Sequence, residues 1–184
     1  MRANTKYVSI AVLLVLSLVA SFGIPRRDLR SMAQVAGIAL DKVDDSITAT
    51  FELYKPISDQ PIGSQHIVVD AQGKSIADCI KRLKQVYSME LYLNNASVLI
   101  LSSEQLVDDV IAFYSLLVND HMDLPVFFAE EQAADFFEGS KEVMSTHLAD
   151  SAKRVSRIQT VRDLMNGSGQ KVFVRGRGDY EILL

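Results

Sequence analysis

Three histidines are the residues best suited to acid–base or metal chemistry, and His66, His121 and His147 lie in three separate segments. A catalytic or metal site needs such groups to converge, and no spacing in the sequence brings them together. The single cysteine, Cys79, excludes an internal disulfide and a four-cysteine zinc site. Because Cys79 falls beside the apolar stripe of a predicted helix, we expect a small buried residue rather than a reactive thiol.

The remaining short motifs favour turns over ligand sites. Asp41, Asp44 and Asp45 lack the alternating oxygen ligands and the closing glutamate of a calcium loop, which favours a solvated turn. Gly167-Ser168-Gly169 lacks the strand and helix of a phosphate loop, and we interpret it as a helix cap and turn. Arg177-Gly178-Asp179 spells an adhesion tripeptide, which alone carries little information. We therefore predict no catalytic, metal-binding or cofactor-binding residue, and no enzymatic activity.

Length and composition indicate one globular domain behind a hydrophobic leader. The chain has 184 residues, of which 48% are hydrophobic and 23% charged, which argues against disorder. Its formal net charge is -4, and it has no long basic run. Nucleic-acid binding requires clustered Lys and Arg for phosphate contacts, so we expect no nucleic-acid partner.

The first 24 residues are predicted to meet a membrane. Residues 7–24 carry no charge and follow a short basic start, and about 18 such residues lie near the roughly 20 that a spanning helix needs. Arg26, Arg27 and Arg30 would be costly inside a bilayer, so the apolar segment ends just before them. A retained anchor and a cleaved secretory signal both fit. We therefore divide the chain into a signal or anchor segment, 1–24, and a domain, 25–184.

The first part of the domain has the pattern of a strand hairpin. Residues 32–40 are almost wholly apolar, which predicts a buried strand, and Gly37 inside it predicts a close backbone approach. A polar turn follows at 41–46. The next strand alternates apolar and polar residues, so one face should be buried. Its apolar positions are Ile47, Ala49, Phe51 and Leu53.

Strands and helices then alternate, which predicts an α+β fold: a mixed β-sheet flanked by helices, preceded by the N-terminal leader helix. Val98–Leu101 should be a central strand buried on both faces. Ser75 should cap an amphipathic helix whose apolar stripe is Ile76, Ile80, Leu83 and Tyr87, broadened by Ala77 and Val86. Three further elements precede residue 130: a strand at 66–69 with a turn at 70–73, a helix after Ser102 or Ser103, and a strand at 125–129. A helical region should then run from 130 to Gly139, with Ala133, Phe136 and Phe137 inward, followed by a weakly periodic segment at 142–156. The last predicted elements are a short helix at 158–166 closed by Gly167 and a hairpin of 171–174 with 180–184.

Six segments, in order, resemble the N-terminal domain of the Ger(x)C family, the C subunits of spore germinant receptors in endospore-forming bacteria. The arginine pair Arg26-Arg27-Asp28-Leu29 is followed by Val35-Ala36-Gly37-Ile38-Ala39-Leu40-Asp41-Lys42, as at the start of that family. The similarity continues through residues 70–78, 95–104, 116–120 and 125–129. Each motif is weak alone, but their order and spacing extend over about 100 residues.

The resemblance implies a non-enzymatic protein on the extracytoplasmic side of the spore inner membrane, contacting the membrane subunits of a germinant receptor. The family's lipid-bearing cysteine is replaced here by Gly23, so no lipid can be attached there, and either the leader itself holds the protein at the membrane or nothing does. Family members also continue into further domains. A generic extracytoplasmic anchored binding or scaffold module, or a truncated remnant, remains the alternative. Residues 56–64 and the exposed face of 75–87 are the expected contact surfaces.

Overall fold

The computed structural model describes residues 32–56, 64–116, 122–137, 144–155, 158–177 and 179–183. The predicted leader at 1–24, the arginine cluster, His121 and Gly139 lie outside these ranges. Within them, no helix has the length and apolar character that crossing a bilayer requires.

The described strands form one mixed sheet, as predicted. Its order is β3-β2-β1-β5-β6-β7-β8, and the short β4 pairs with the beginning of β1. β1, β4, β5, β6 and β7 run parallel, whereas β2, β3 and β8 are antiparallel to their neighbours. The strands are β1 Met32–Val43, β2 Ser46–Pro56, β3 Ser64–Gly73, β4 Glu90–Tyr92, β5 Val98–Leu101, β6 Val126–Ala129, β7 Phe173–Arg177 and β8 Asp179–Leu183.

Helices cover both faces of this sheet, so the sheet separates two hydrophobic cores. The helices are α1 Ile76–Tyr87, α2 Val107–Ser115, α3 Met144–Ala152 and α4 Val161–Met165, with 3₁₀ helices at Leu93–Asn95, Glu104–Leu106 and Ala133–Phe136. Helices α1, α2 and α4 pack on the first face. Helix α3 and the 3₁₀ helix Ala133–Phe136 pack on the second face.

The predicted first hairpin is confirmed, but its turn is shorter than 41–46. β1 continues to Val43, so only Asp44 and Asp45 form the turn, and Asp44 adopts a φ of 52°. The turn predicted at 70–73 is wrong, because those residues extend β3 and pair with the start of β2, Gly73 opposite Ile47. Polar residues in both segments suggested turns, but cross-strand pairing keeps them in the sheet.

The predicted central strand is confirmed. β5 lies between β1 and β6, and all four of its residues are buried. Leu99 and Leu101 enter the first core, whereas Val98 and Ile100 enter the second. An apolar run without alternation therefore marked a strand covered on both sides.

Helix α1 begins as predicted, since the Ser75 hydroxyl oxygen accepts a hydrogen bond from the backbone N–H of Asp78 at 3.2 Å. Ile76, Cys79 and Leu83 are buried, and the polar face is exposed. Burial raises the pKa of the Cys79 thiol, which donates to the carbonyl of Ile47 at 3.3 Å. The expectation of a core cysteine is confirmed. The apolar stripe was extended too far, because Tyr87 is exposed at the end of the helix.

The carboxyl-terminal part of the domain also follows the predictions in outline. The weakly periodic segment at 142–156 contains α3. The short helix is α4, where Thr160 and Asp163 form a capping box, and these hydrogen bonds lower the pKa of Asp163. Gly167 follows it with a φ of 63°, as a helix-terminating glycine does. The terminal hairpin is formed by β7 and β8.

Three alanine substitutions on α1 test which face of the helix packs on the sheet. Leu83→Ala should lower the free energy of unfolding by about 2–5 kcal/mol, because Leu83 is fully buried. Ile80→Ala should lower it less, because Ile80 is half-buried, and the exposed Lys81→Ala should change it by under about 0.5 kcal/mol. Equal losses at positions 81 and 83 in urea titrations would contradict the assignment.

Candidate functional site

Two buried carboxylates lie on neighbouring strands and serve the same face of the sheet. Asp41 is in β1 and Glu52 in β2, and the Glu52 side chain is 0% exposed. Both contact helices of the second face. A buried carboxylate is costly unless it is hydrogen-bonded, so the partners of these two groups define what they do.

Glu52 holds the amino terminus of α3. Its Oε1 accepts from the backbone N–H of Met144 and its Oε2 from that of Ser145, both at 2.9 Å. Met144 and Ser145 are the first two residues of α3. The first N–H groups of a helix have no acceptor inside the helix, and the helix dipole favours negative charge there. Glu52 therefore fixes the start of α3 to β2 across more than 90 residues of sequence.

Asp41 does the same for the 3₁₀ helix Ala133–Phe136. Its Oδ1 accepts from the N–H of Ala133 at 2.7 Å and its Oδ2 from that of Ala134 at 2.9 Å. The prediction of a solvated aspartate turn is therefore wrong for Asp41, which lies inside a strand and beneath this helix. It holds for Asp44 and Asp45, which are exposed in the turn.

Gly37 brings these anchored helices close to the sheet, as its position in the apolar strand predicted. It pairs with Glu52 across the hairpin. A Cβ added at Gly37 would lie 2.7 Å from Phe137 Cζ and 2.7 Å from Ser145 Cβ. Side-chain atoms do not tolerate such a distance, so only glycine lets both groups pack on β1. The resulting contact closes the second core around Phe136, Phe137, Met144 and Leu148.

His66 lies beside a buried carboxylate, that of Glu52. Its Nε2 lies 2.9 Å from Glu52 Oε1, and its side chain is partly exposed from β3. Sequence spacing gave no reason to expect this contact, because His66 is 14 residues from Glu52 and on a different strand. His147 is exposed on α3, and His121 lies outside the described residues.

A histidine, a glutamate and a serine meeting in one place raise the question of acid–base catalysis. A nucleophilic serine needs a base within hydrogen-bonding reach. Among the described residues the Ser145 hydroxyl has no hydrogen-bond partner, and Ser145 is fully buried. Both Glu52 oxygens are already bound to backbone N–H groups. The arrangement is that of a structural anchor, with His66 as its third donor when Nε2 carries the proton.

Among the described residues, neither a metal-binding cluster nor an exposed thiol is found. In the described ranges no three residues of the metal-binding types come together. The ligand-like motifs of the sequence are accounted for by structure: Gly167 terminates α4, and Cys79 is in the core. Glu52 is the residue that the sequence interpretation missed, because its place in the alternating strand indicated an outward, solvated side chain.

Comparison with known protein families identifies the family to which this chain belongs. Residues 25–167 match the family described as the spore germination protein N-terminal domain. The match begins before β1, ends after α4, and includes Gly37, Asp41 and Glu52. The chain therefore belongs to the Ger(x)C family of spore germination proteins through its N-terminal domain, and its role is related to germination. Comparisons with curated proteins and with solved structures gave no significant match.

Substitution of Glu52 tests the anchor. Glu52→Gln leaves one acceptor and turns an N–H₂ group toward the helix amides, so we expect a loss of about 1–3 kcal/mol in the free energy of unfolding. His66→Ala should cost less, because both backbone donors remain on the carboxylate. The exposed Glu131→Gln is the matched control and should change stability by under about 0.5 kcal/mol.

Denaturant titration with circular dichroism measures all three variants. A Glu52→Gln loss no larger than that of Glu131→Gln would show that the carboxylate does not hold α3.

Proposed function

We propose that this protein is a non-enzymatic, membrane-associated accessory protein resembling the C subunit of spore nutrient germinant receptors. It acts from the extracytoplasmic side of the spore inner membrane, by contact with the membrane subunits of a receptor. The observation that carries the proposal is the family match over residues 25–167. The uncharged stretch 7–24 supports the membrane part, because its composition suits a segment that meets a bilayer.

The site geometry supports a binding role over a catalytic one. The buried carboxylates fix helices to the sheet by accepting hydrogen bonds from backbone amides, and His66 is a further neighbour of Glu52. Because the helices on the second face are fixed to the sheet, the surface residues of the domain keep one relative arrangement. Pre-organised surfaces lose less entropy when a partner binds, which suits an accessory subunit.

Of the two contact surfaces expected from the sequence, the exposed side of α1 lies within the described residues. Lys81, Arg82, Lys84 and Gln85 are all exposed there. Lys84 forms an ion pair with Glu90 at 2.7 Å, and exposed pairs of this kind contribute little stability. The side chains are therefore available for a partner at small cost to the fold. The other surface predicted from sequence, 56–64, lies largely outside the described residues.

Deletion and co-purification test the proposal together. Spores that lack the gene should germinate more slowly in nutrient, and expression of the full chain should restore the rate. A tagged full chain purified from spore membranes should carry receptor subunits with it. A charge-reversed Lys81→Glu/Lys84→Glu chain should bind less if the polar face of α1 is the contact, and an exposed control such as Glu131→Gln should bind normally.

Unchanged nutrient germination together with the absence of receptor subunits in the purified sample would contradict the proposal. Expression in growing cells with a different partner would instead favour a generic anchored scaffold module.

A further inference from the structure

The apolar stripe of α1 extends beyond the core that covers it. Ile76, Cys79 and Leu83 are buried, and Val86 and Tyr87 continue the same three- and four-residue spacing. Yet Val86 is 73% exposed and Tyr87 is 45% exposed. The last turn of the helix therefore presents apolar surface that the described part of the domain does not cover.

This exposed turn lies at the end of the sheet where β1, the first strand after the predicted leader, begins. Gly73, just before α1, is paired with Ile47, whose β1 partner is Lys42, near the far end of β1. Just after α1, Glu90 pairs with Met32, the first residue of β1. Helix α1 thus runs from the far end of the sheet to the end at which β1 begins.

The sequence limits how far this end can lie from the leader. Seven residues, 25–31, separate the uncharged segment 7–24 from Met32. Fully extended, they span at most roughly 25–29 Å. If the leader is in a bilayer, the beginning of β1 and the last turn of α1 are close to its surface. The opposite end of β1, at Val43, is about 36 Å farther along the strand.

The chemistry around the turn suits a lipid surface. Tyr92 is exposed on β4 at the same end of the sheet but on the face opposite α1, because its neighbour Leu91 packs against the first core. Tyrosine favours the membrane–water interface because its ring is apolar and its hydroxyl polar. Arg82 is exposed one turn before Val86 on the same side of α1, and basic side chains are attracted to anionic headgroups.

We propose that Val86 and Tyr87, flanked by Arg82, form a docking patch for the surface of an anionic bilayer, and that Tyr92 reaches the same surface from the other face of the sheet. The patch holds the domain against the membrane so that the beginning of β1 lies near the bilayer and the turn at Asp44 and Asp45 lies far from it. This inference rests on the proposed membrane association and adds an orientation to it. An oriented domain would meet membrane subunits with a fixed set of surfaces.

Site-specific labelling of the full chain in vesicles tests the docking patch. Val86→Cys and Val43→Cys are matched, since both replace an exposed valine, and Val43 is 42% exposed. Each is labelled with bimane, and the buried Cys79 should not react. The vesicles contain phosphatidylglycerol and phosphatidylcholine, with bromine on the acyl chains close to the headgroups as a quencher. We expect the label at position 86 to be quenched several-fold more than the label at position 43.

Flotation of the same vesicles separates this inference from the proposed function. Protein that floats with equal, weak quenching at positions 86 and 43 overturns the docking patch and leaves membrane association standing. Protein that stays in the aqueous fraction overturns both. A label at position 86 that is unquenched by lipid but becomes protected when receptor subunits are added assigns the patch to a protein partner, and also overturns the inference.

Discussion

The fold depends on two negative charges buried beneath helix termini. Asp41 and Glu52 stand on adjacent strands of the first hairpin, and each binds two backbone N–H groups at the start of a helix on the second face. The exchange is favourable for both partners, because a buried carboxylate needs donors and the first turn of a helix needs acceptors. Gly37 completes the arrangement by removing the side chain that would separate the helices from the sheet.

This constraint explains how a polar and weakly periodic stretch becomes ordered. Helix α3 has nine residues, too few for an isolated helix to persist in water. Its order comes from Met144 and Leu148 in the second core and from the carboxylate at its amino terminus. The first face needs no such anchor, since α1 carries its own cap and buries Ile76, Cys79 and Leu83. The second face is thus held by buried carboxylates, whereas the last turn of α1 on the first face is left partly uncovered.

Much of the first face was predictable from sequence; on the second face the burial of Ala133, Phe136 and Phe137 was predicted, but the two anchoring carboxylates were not. Apolar periodicity in α1 and β2, and the unbroken run of β5, identify which residues are buried, because hydrophobic burial repeats with the period of the element. Asp41 and Glu52 occupy strand positions that ordinarily face water. Their burial depends on helices that arrive about 90 residues later, and periodicity carries no information about such contacts. Gly37 was the one local feature that predicted the close packing.

Amide hydrogen exchange measures the central interaction directly in the unmodified protein. The backbone N–H groups of Ala133, Ala134, Met144 and Ser145 belong to first turns, where amides ordinarily exchange fast because they have no acceptor inside the helix. If Asp41 and Glu52 bind them, all four should be protected to nearly the same degree as amides in the middle of β1 and β5. Exchange of these four amides at the rate of the exposed turn at Asp44 and Asp45 would contradict the account.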